Sequence, residues 1–200
     1  MKRFPWMSVA LVALCLLASH ADEAALEYER SLVVGGEAWR LLTGQMIHWT
    51  PRMALFDLGM LLGLGAWLEI RGDRRLAAVA LGLGAILTAV AVHLSPDLSI
   101  YRGSSGMASA LVVLAAFRTA DSYDPWTRAL AVAAIALFLA KAAFESLAGQ
   151  TLFAGELPDG VRVVPLVHLL GGLGGALPAA SGGVRCATAR SRAGSAGRPR

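Results

Sequence analysis

Residues 101–118 read Tyr-Arg-Gly-Ser-Ser-Gly-Met-Ala-Ser-Ala-Leu-Val-Val-Leu-Ala-Ala-Phe-Arg. Arg102 and Arg118 bracket a stretch that carries no charge, and its first residues are small and hydroxyl-bearing. In lipid a hydroxyl is expensive unless it meets another polar group. The stretch therefore reads as an apolar helix whose first turn, around Ser105, faces something other than lipid.

Five further apolar segments surround it, so that six run roughly Phe4–Ser19, Met53–Leu68, Leu76–Leu94, Ser105–Phe117, Ala129–Leu147 and Val163–Ala180. The composition agrees: 56% of residues are hydrophobic and only 16% charged, with a mean hydropathy of +0.58. A soluble domain of 200 residues could not cover that much apolar surface. The expected fold is an all-α membrane protein of six transmembrane helices with a long first external loop. A crossing takes about 20 residues, so several segments are short. Flanking polar residues are expected to extend them, and the bilayer to thin locally.

Basic residues set the orientation. Lys2, Arg3, Arg71, Arg74, Arg75, Arg118, Arg128 and the tail arginines 185, 190, 192, 198 and 200 fall on one side of a six-span arrangement. Arg30, Arg40, Arg52, Arg102 and Arg162 fall on the other. The positive-inside rule puts both termini in the cytoplasm. The net charge of +4 then reflects topology and lipid headgroups, and nucleic acid is not an expected partner.

Residues 1–20 form either a first span or a signal-like segment, since Met1-Lys2-Arg3, an apolar run and Ser19-His20-Ala21 suit a cleavable leader. A retained span is favoured. Residues 21–180 form the core and 181–200 a basic tail expected to be disordered. Cys15 and Cys186 have no metal-type spacing and imply no disulfide.

The chemistry lies in segments four and six. Both run from outside to inside, so Ser105 and His168 come to similar depth in the outer half of the bilayer. Gly106 and Ala110 share one face of segment four, and Gly171 and Gly175 share one face of segment six. Small-xxx-small faces let two helices approach closely. A serine hydroxyl needs a base to take its proton, and neutral His168 suits that role. Backbone N–H groups where a helix opens at Ser105 are unspent and suit an oxyanion. No acidic third member is evident, so a dyad is expected. Asp57 is expected to face the same cavity; His93 reads as an interface residue, and His48 as a tie for the linker. Lys141 and Glu145, four apart, read as an intrahelical ion pair, or alternatively as an ion relay.

These residues resemble the rhomboid intramembrane serine proteases. Gly103, Ser105 and Gly106 match the family's Gly-x-Ser-Gly, and His168, Gly171 and Gly175 its His-x-x-Gly-x-x-x-Gly. Trp39, Arg40 and Thr43 resemble the patch in its first loop, and Gly65 and Glu69 the Gly-x-x-x-Glu of its second helix. Tyr101-Arg102-Gly103 and the run from Trp39 to His48 are most similar to the rhombosortase subfamily. The resemblance implies a rhomboid-like bundle in a bacterial inner membrane, with Ser105 as nucleophile, His168 as base and an active site open to the periplasm. It implies transmembrane substrates, with C-terminal tails of a Gly-Gly-type motif, a hydrophobic helix and a basic cluster. No metal or organic cofactor is implied. Gly103 and Ser104 are the expected oxyanion-side residues. The chain departs from the family at Met53 and Asp57, where many rhomboids carry a histidine and an asparagine. A carboxylate there opposes a developing oxyanion unless it is protonated or turned away. The remaining readings are a catalytically inactive, client-binding relative and a small transporter using Asp57, Lys141 and Glu145.

Overall fold

The computed structural model describes residues 4–152, 157, 161 and 163–195, with side chains up to residue 180. Six apolar helices dominate: α1 (Trp6–Ala18), α5 (Pro51–Arg71), α6 (Arg74–Leu94), α7 (Ser105–Ala120), α8 (Pro125–Ala148) and α9 (Pro165–Ser195). Between α1 and α5 the linker carries three short helices, α2 (Glu23–Leu26), α3 (Arg30–Val34) and α4 (Arg40–Thr43), and the strand β1 (Tyr28–Glu29). A second strand, β2 (Ile100–Tyr101), precedes α7 and pairs antiparallel with β1, Tyr28 facing Tyr101.

The helix ends follow their sequence signals. Thr50 caps α5 by accepting from the Met53 N–H at 3.1 Å, and Pro51 sits where a missing N–H costs nothing. Asp124 caps α8 in the same way, accepting from the Thr127 N–H at 2.8 Å. Helix α5 stops at Gly72, whose φ of 95° favours glycine. The neighbouring Asp73 accepts two bonds of 3.1 Å from Arg118, tying the α5–α6 turn to the far end of α7.

Three helices, α5, α6 and α8, are long and apolar enough to cross a membrane; α1, α7 and the apolar part of α9 are shorter. Their outward faces carry Leu55, Ile70, Val79, Ile86, Val132 and Leu137, all exposed. Only 17% of the apolar window of α8 is buried inside the protein. An exposed apolar belt on this scale needs a solvent other than water.

Helix α7 is the axis of the fold. It packs against α5, α6, α8 and α9 and is buried from Gly106 to Ala116 apart from Val112. A helix apolar all round has to be enclosed. Close contact with α6 and α9 depends on missing side chains. A Cβ on Gly171 would stand 2.6 Å from the Gly106 Cα, one on Gly174 2.8 Å from the Gly84 Cα, and one on Gly175 2.8 Å from the Ala110 carbonyl carbon. The face of Gly106 and Ala110 thus meets the face of Gly171 and Gly175.

Helix α1 docks on α5 through Glu69, which is 2% exposed. Its carboxylate accepts from the Met7 and Ser8 N–H groups, at 3.2 and 2.8 Å, and from the Ser8 hydroxyl at 2.6 Å. These N–H groups open α1 and have no partner within it. Gly65 leaves the space that the Ser8 side chain fills.

The linker is a folded cap rather than an open loop. Buried Arg40 bonds the Ala24 and Glu27 carbonyls and the Glu37 carboxylate, and the Thr43 hydroxyl donates to the Leu26 carbonyl at 2.6 Å. Arg30 reaches the last carbonyls of α6, those of Val92 at 3.1 Å and His93 at 2.9 Å, where a cation also suits the helix dipole. At the other end of the chain, the backbone of α9 stays helical to Ser195.

Candidate active site

The turn into α7 is pinned from three sides. The Gly103 N–H donates to the Gly44 carbonyl at 3.0 Å, and the Tyr101 hydroxyl donates to the Gly103 carbonyl at 3.0 Å. Gly103 has φ +136°, and a Cβ there would collide with the Met53 side chain, so both backbone and space call for glycine. Ser104, fully buried, precedes the helix, with its hydroxyl 3.0 Å from His48 Nε2. The first helical bond runs from the Ala108 N–H to the Ser104 carbonyl. The N–H groups of Ser105, Gly106 and Met107 lie ahead of it, free of helical partners.

Beside this helix start lies a cavity of about 380 Å³, lined by α5, β2, α7, α8, α9 and the segment before α9. Ser105, Asp57 and His168 all line it. Residues more than sixty positions apart in the sequence therefore reach one space, through the glycine contacts between α7 and α9. Phe56 and Met60 of α5 and Phe138 of α8 supply apolar wall, while Arg102, Ser109, Lys141 and Glu145 add further polar groups to the lining. Ser104 and His48 do not line it.

Ser105 and His168 share the cavity without a hydrogen bond between them. The Tyr101 phenol lies near the Ser105 hydroxyl, and burial pushes it well above the usual tyrosine range against the smaller opposing effect of that hydroxyl. A phenol held neutral keeps its proton for the Gly103 carbonyl. His168 instead has Nδ1 3.4 Å from the hydroxyl of Ser109, one turn beyond Ser105. Ser109 in turn donates to the Ser105 carbonyl at 2.7 Å.

The other ring nitrogen has acidic and basic partners on α8. Nε2 of His168 lies 3.0 Å from Glu145 Oε2 and 3.0 Å from Lys141 Nζ, and those two pair with each other at 2.8 Å. Glu145 thus lies against the histidine, a contact the sequence did not disclose. The spacing of Lys141 and Glu145 within one helix disclosed their pairing. Their contact with His168 arises from the packing of α8 beside α9, which no local pattern records. Ser109 was missed too, although it sits four residues after Ser105 on the same face.

Asp57 faces the cavity with its Oδ2 buried and free of any hydrogen bond, 3.5 Å from His48 Nε2. That oxygen also lies 3.7 Å from where a Gly103 Cβ would be, close to the start of α7. Arg102, also in the lining, lies with its guanidinium 4.4 Å over the Trp49 ring and pairs with Glu27 at 2.7 Å and with Glu23. Among the described residues, no group of three or more His, Cys, Asp or Glu side chains could hold a metal ion. No protein-family model matches the chain, and no curated protein matches it.

Proposed function

We propose that the chain is an intramembrane serine endopeptidase of rhomboid type, closest in kind to a rhombosortase. The observation that carries this reading is the shared cavity: Ser105, at a helix start with unspent N–H groups, opens into the same space as the imidazole of His168. In this reading all six apolar helices cross a bacterial inner membrane with both termini in the cytoplasm. Helix α7, with 16 residues, is about 24 Å long, against about 32 Å for the 21-residue α5 and α6. A central helix shorter than its neighbours sets Ser105 below the periplasmic surface of the layer.

The reaction follows from the groups present. The Ser105 hydroxyl gives its proton to the imidazole of His168 and attacks the scissile carbonyl. The N–H groups of Ser105 and Gly106 face the oxyanion that forms. The imidazolium then protonates the leaving amine as the C–N bond breaks, and water from the periplasmic side hydrolyses the acyl-enzyme. A substrate helix has to unwind to present its carbonyl, because an intact helix keeps it in a hydrogen bond. The apolar walls between α5 and α8 suit such a segment. The substrates are membrane-anchored proteins, with C-terminal Gly-Gly-type sorting tails as the favoured class.

Two observations support rivals. The Asp57 carboxylate beside the start of α7 favours an inactive client-binding relative. Lys141 and Glu145 in an apolar helix favour a small transporter. Co-expression with a tagged candidate substrate separates the three: cleavage lost in both Ser105→Ala and His168→Ala supports the protease, and cleavage surviving either change refutes it. A periplasm-dependent reporter fused after Asp97 is expected to be active; activity only as a cytoplasmic reporter overturns the orientation.

A further inference from the structure

We infer that Glu145 is the positioning carboxylate of His168 and that Lys141 competes with it for the same ring nitrogen, an inference that rests on the protease reading above. Both side chains come from α8, and both lie 3.0 Å from Nε2. An ionised carboxylate only accepts hydrogen bonds and an ammonium only donates them. Glu145 therefore draws the imidazole proton onto Nε2 and leaves Nδ1 bare towards α7; the Ser109 hydroxyl, whose one proton goes to the Ser105 carbonyl, then makes no hydrogen bond to Nδ1 at 3.4 Å. This is the form that can accept a proton from Ser105. Lys141 favours the opposite tautomer, in which Nε2 is the acceptor and the proton sits on Nδ1, and that form is no base towards α7.

The ion pair decides the contest. Lys141 lies 2.8 Å from Glu145 and spends part of its donor capacity there, while Glu145, its side chain 2% exposed, has Nε2 as a remaining donor. Its other oxygen accepts from the Leu152 N–H at 3.2 Å, which fixes the carboxylate and also gives Glu145 a purely structural use. The groups that face His168 are then Lys141 and Glu145 from α8 and Ser105 and Ser109 from α7, with Asp57 of α5 and Tyr101 of β2 on the same cavity. In the reaction Nδ1 takes the Ser105 proton as the Oγ–C bond forms. The imidazolium keeps its Nε2 proton on Glu145, and Nδ1 passes the other to the departing amine nitrogen. The attacking water later returns a proton to Nδ1 and then to Ser105.

The test uses the full chain in detergent, with histidine nitrogen NMR and the rate of covalent labelling by a fluorophosphonate as readouts. In the unaltered chain His168, assigned by loss of its signal in His168→Ala, is expected as the Nε2–H tautomer. Glu145→Gln leaves Lys141 as the charged partner. The tautomer is expected to switch to Nδ1–H and labelling to fall about 100-fold or more. Adding Lys141→Met to Glu145→Gln removes the competitor; the Nε2–H form should return and labelling recover about tenfold over the single variant. A structural role alone would not be relieved by the second change. The inference is overturned if Glu145→Gln keeps the original tautomer and rate, or if the double variant is no better than the single one. Absence of labelling at Ser105 in the unaltered chain refutes the protease reading and this role together. Labelling with unmoved variants refutes the role alone.

Discussion

Gly171→Ala is the sharpest probe of how the site is assembled. The added Cβ would stand 2.6 Å from the Gly106 Cα and 2.7 Å from the Gly106 carbonyl carbon, and would collide with the carbonyl oxygen. Carbon atoms at rest stand about 3.5–4.0 Å apart, so α9 has to retreat from α7 by about 1 Å. Both partners at this contact are backbone, which cannot swing aside as a side chain can. His168 sits one turn earlier on the same face of α9, and its Nδ1 is already 3.4 Å from Ser109. A further retreat of about 1 Å takes it beyond hydrogen-bond range. The expected cost is about 1–3 kcal/mol of stability from overpacking and about 100-fold in rate from misplacement of the base. The assay is cleavage or fluorophosphonate labelling, read beside thermal unfolding in detergent. Gly59→Ala is the control, since a Cβ there meets nothing within 4 Å. A Gly171→Ala protein with unchanged rate and unchanged unfolding would refute the argument that this contact sets the geometry.

Asp57→Asn should raise the cleavage rate about tenfold, because it replaces a carboxylate near the oxyanion with a neutral side chain that can donate; a fall in rate would show that the carboxylate itself serves the site. Glu69→Leu removes three acceptor contacts from the start of α1 and should cost about 3 kcal/mol, at about 1 kcal/mol per bond. Thermal unfolding and disulfide cross-linking between α1 and α5 would detect it, and an unchanged protein would show that α1 does not depend on this anchor.

The helices were legible because their signals are local. Apolar runs, and the basic residues between them, act within a few residues. The contact of α7 with α9 was legible for a related reason, since paired small residues at a spacing of four declare a face without naming its partner. The folded linker was not. Arg40 and Thr43 bond to carbonyls of residues 24–27, and backbone acceptors leave no mark in a sequence. In the site, Ser105 and His168 stood out because polar groups in apolar runs are costly. Glu145 stood out for the same reason, yet its partner appeared to be Lys141 alone. Only the side-by-side packing of α8 and α9 adds His168 to that pair, and only the turn at Gly103 brings the Tyr101 phenol to Ser105.

The central claim is that Ser105 is a nucleophile activated by His168. The direct test is fluorophosphonate labelling of the full chain, with the modified residue located by mass spectrometry, in the unaltered protein and in Ser105→Ala, Ser109→Ala and His168→Ala. The account expects the adduct on Ser105, its loss in Ser105→Ala and His168→Ala, and its survival in Ser109→Ala. An adduct on Ser109, or labelling of Ser105 that persists without His168, would contradict it.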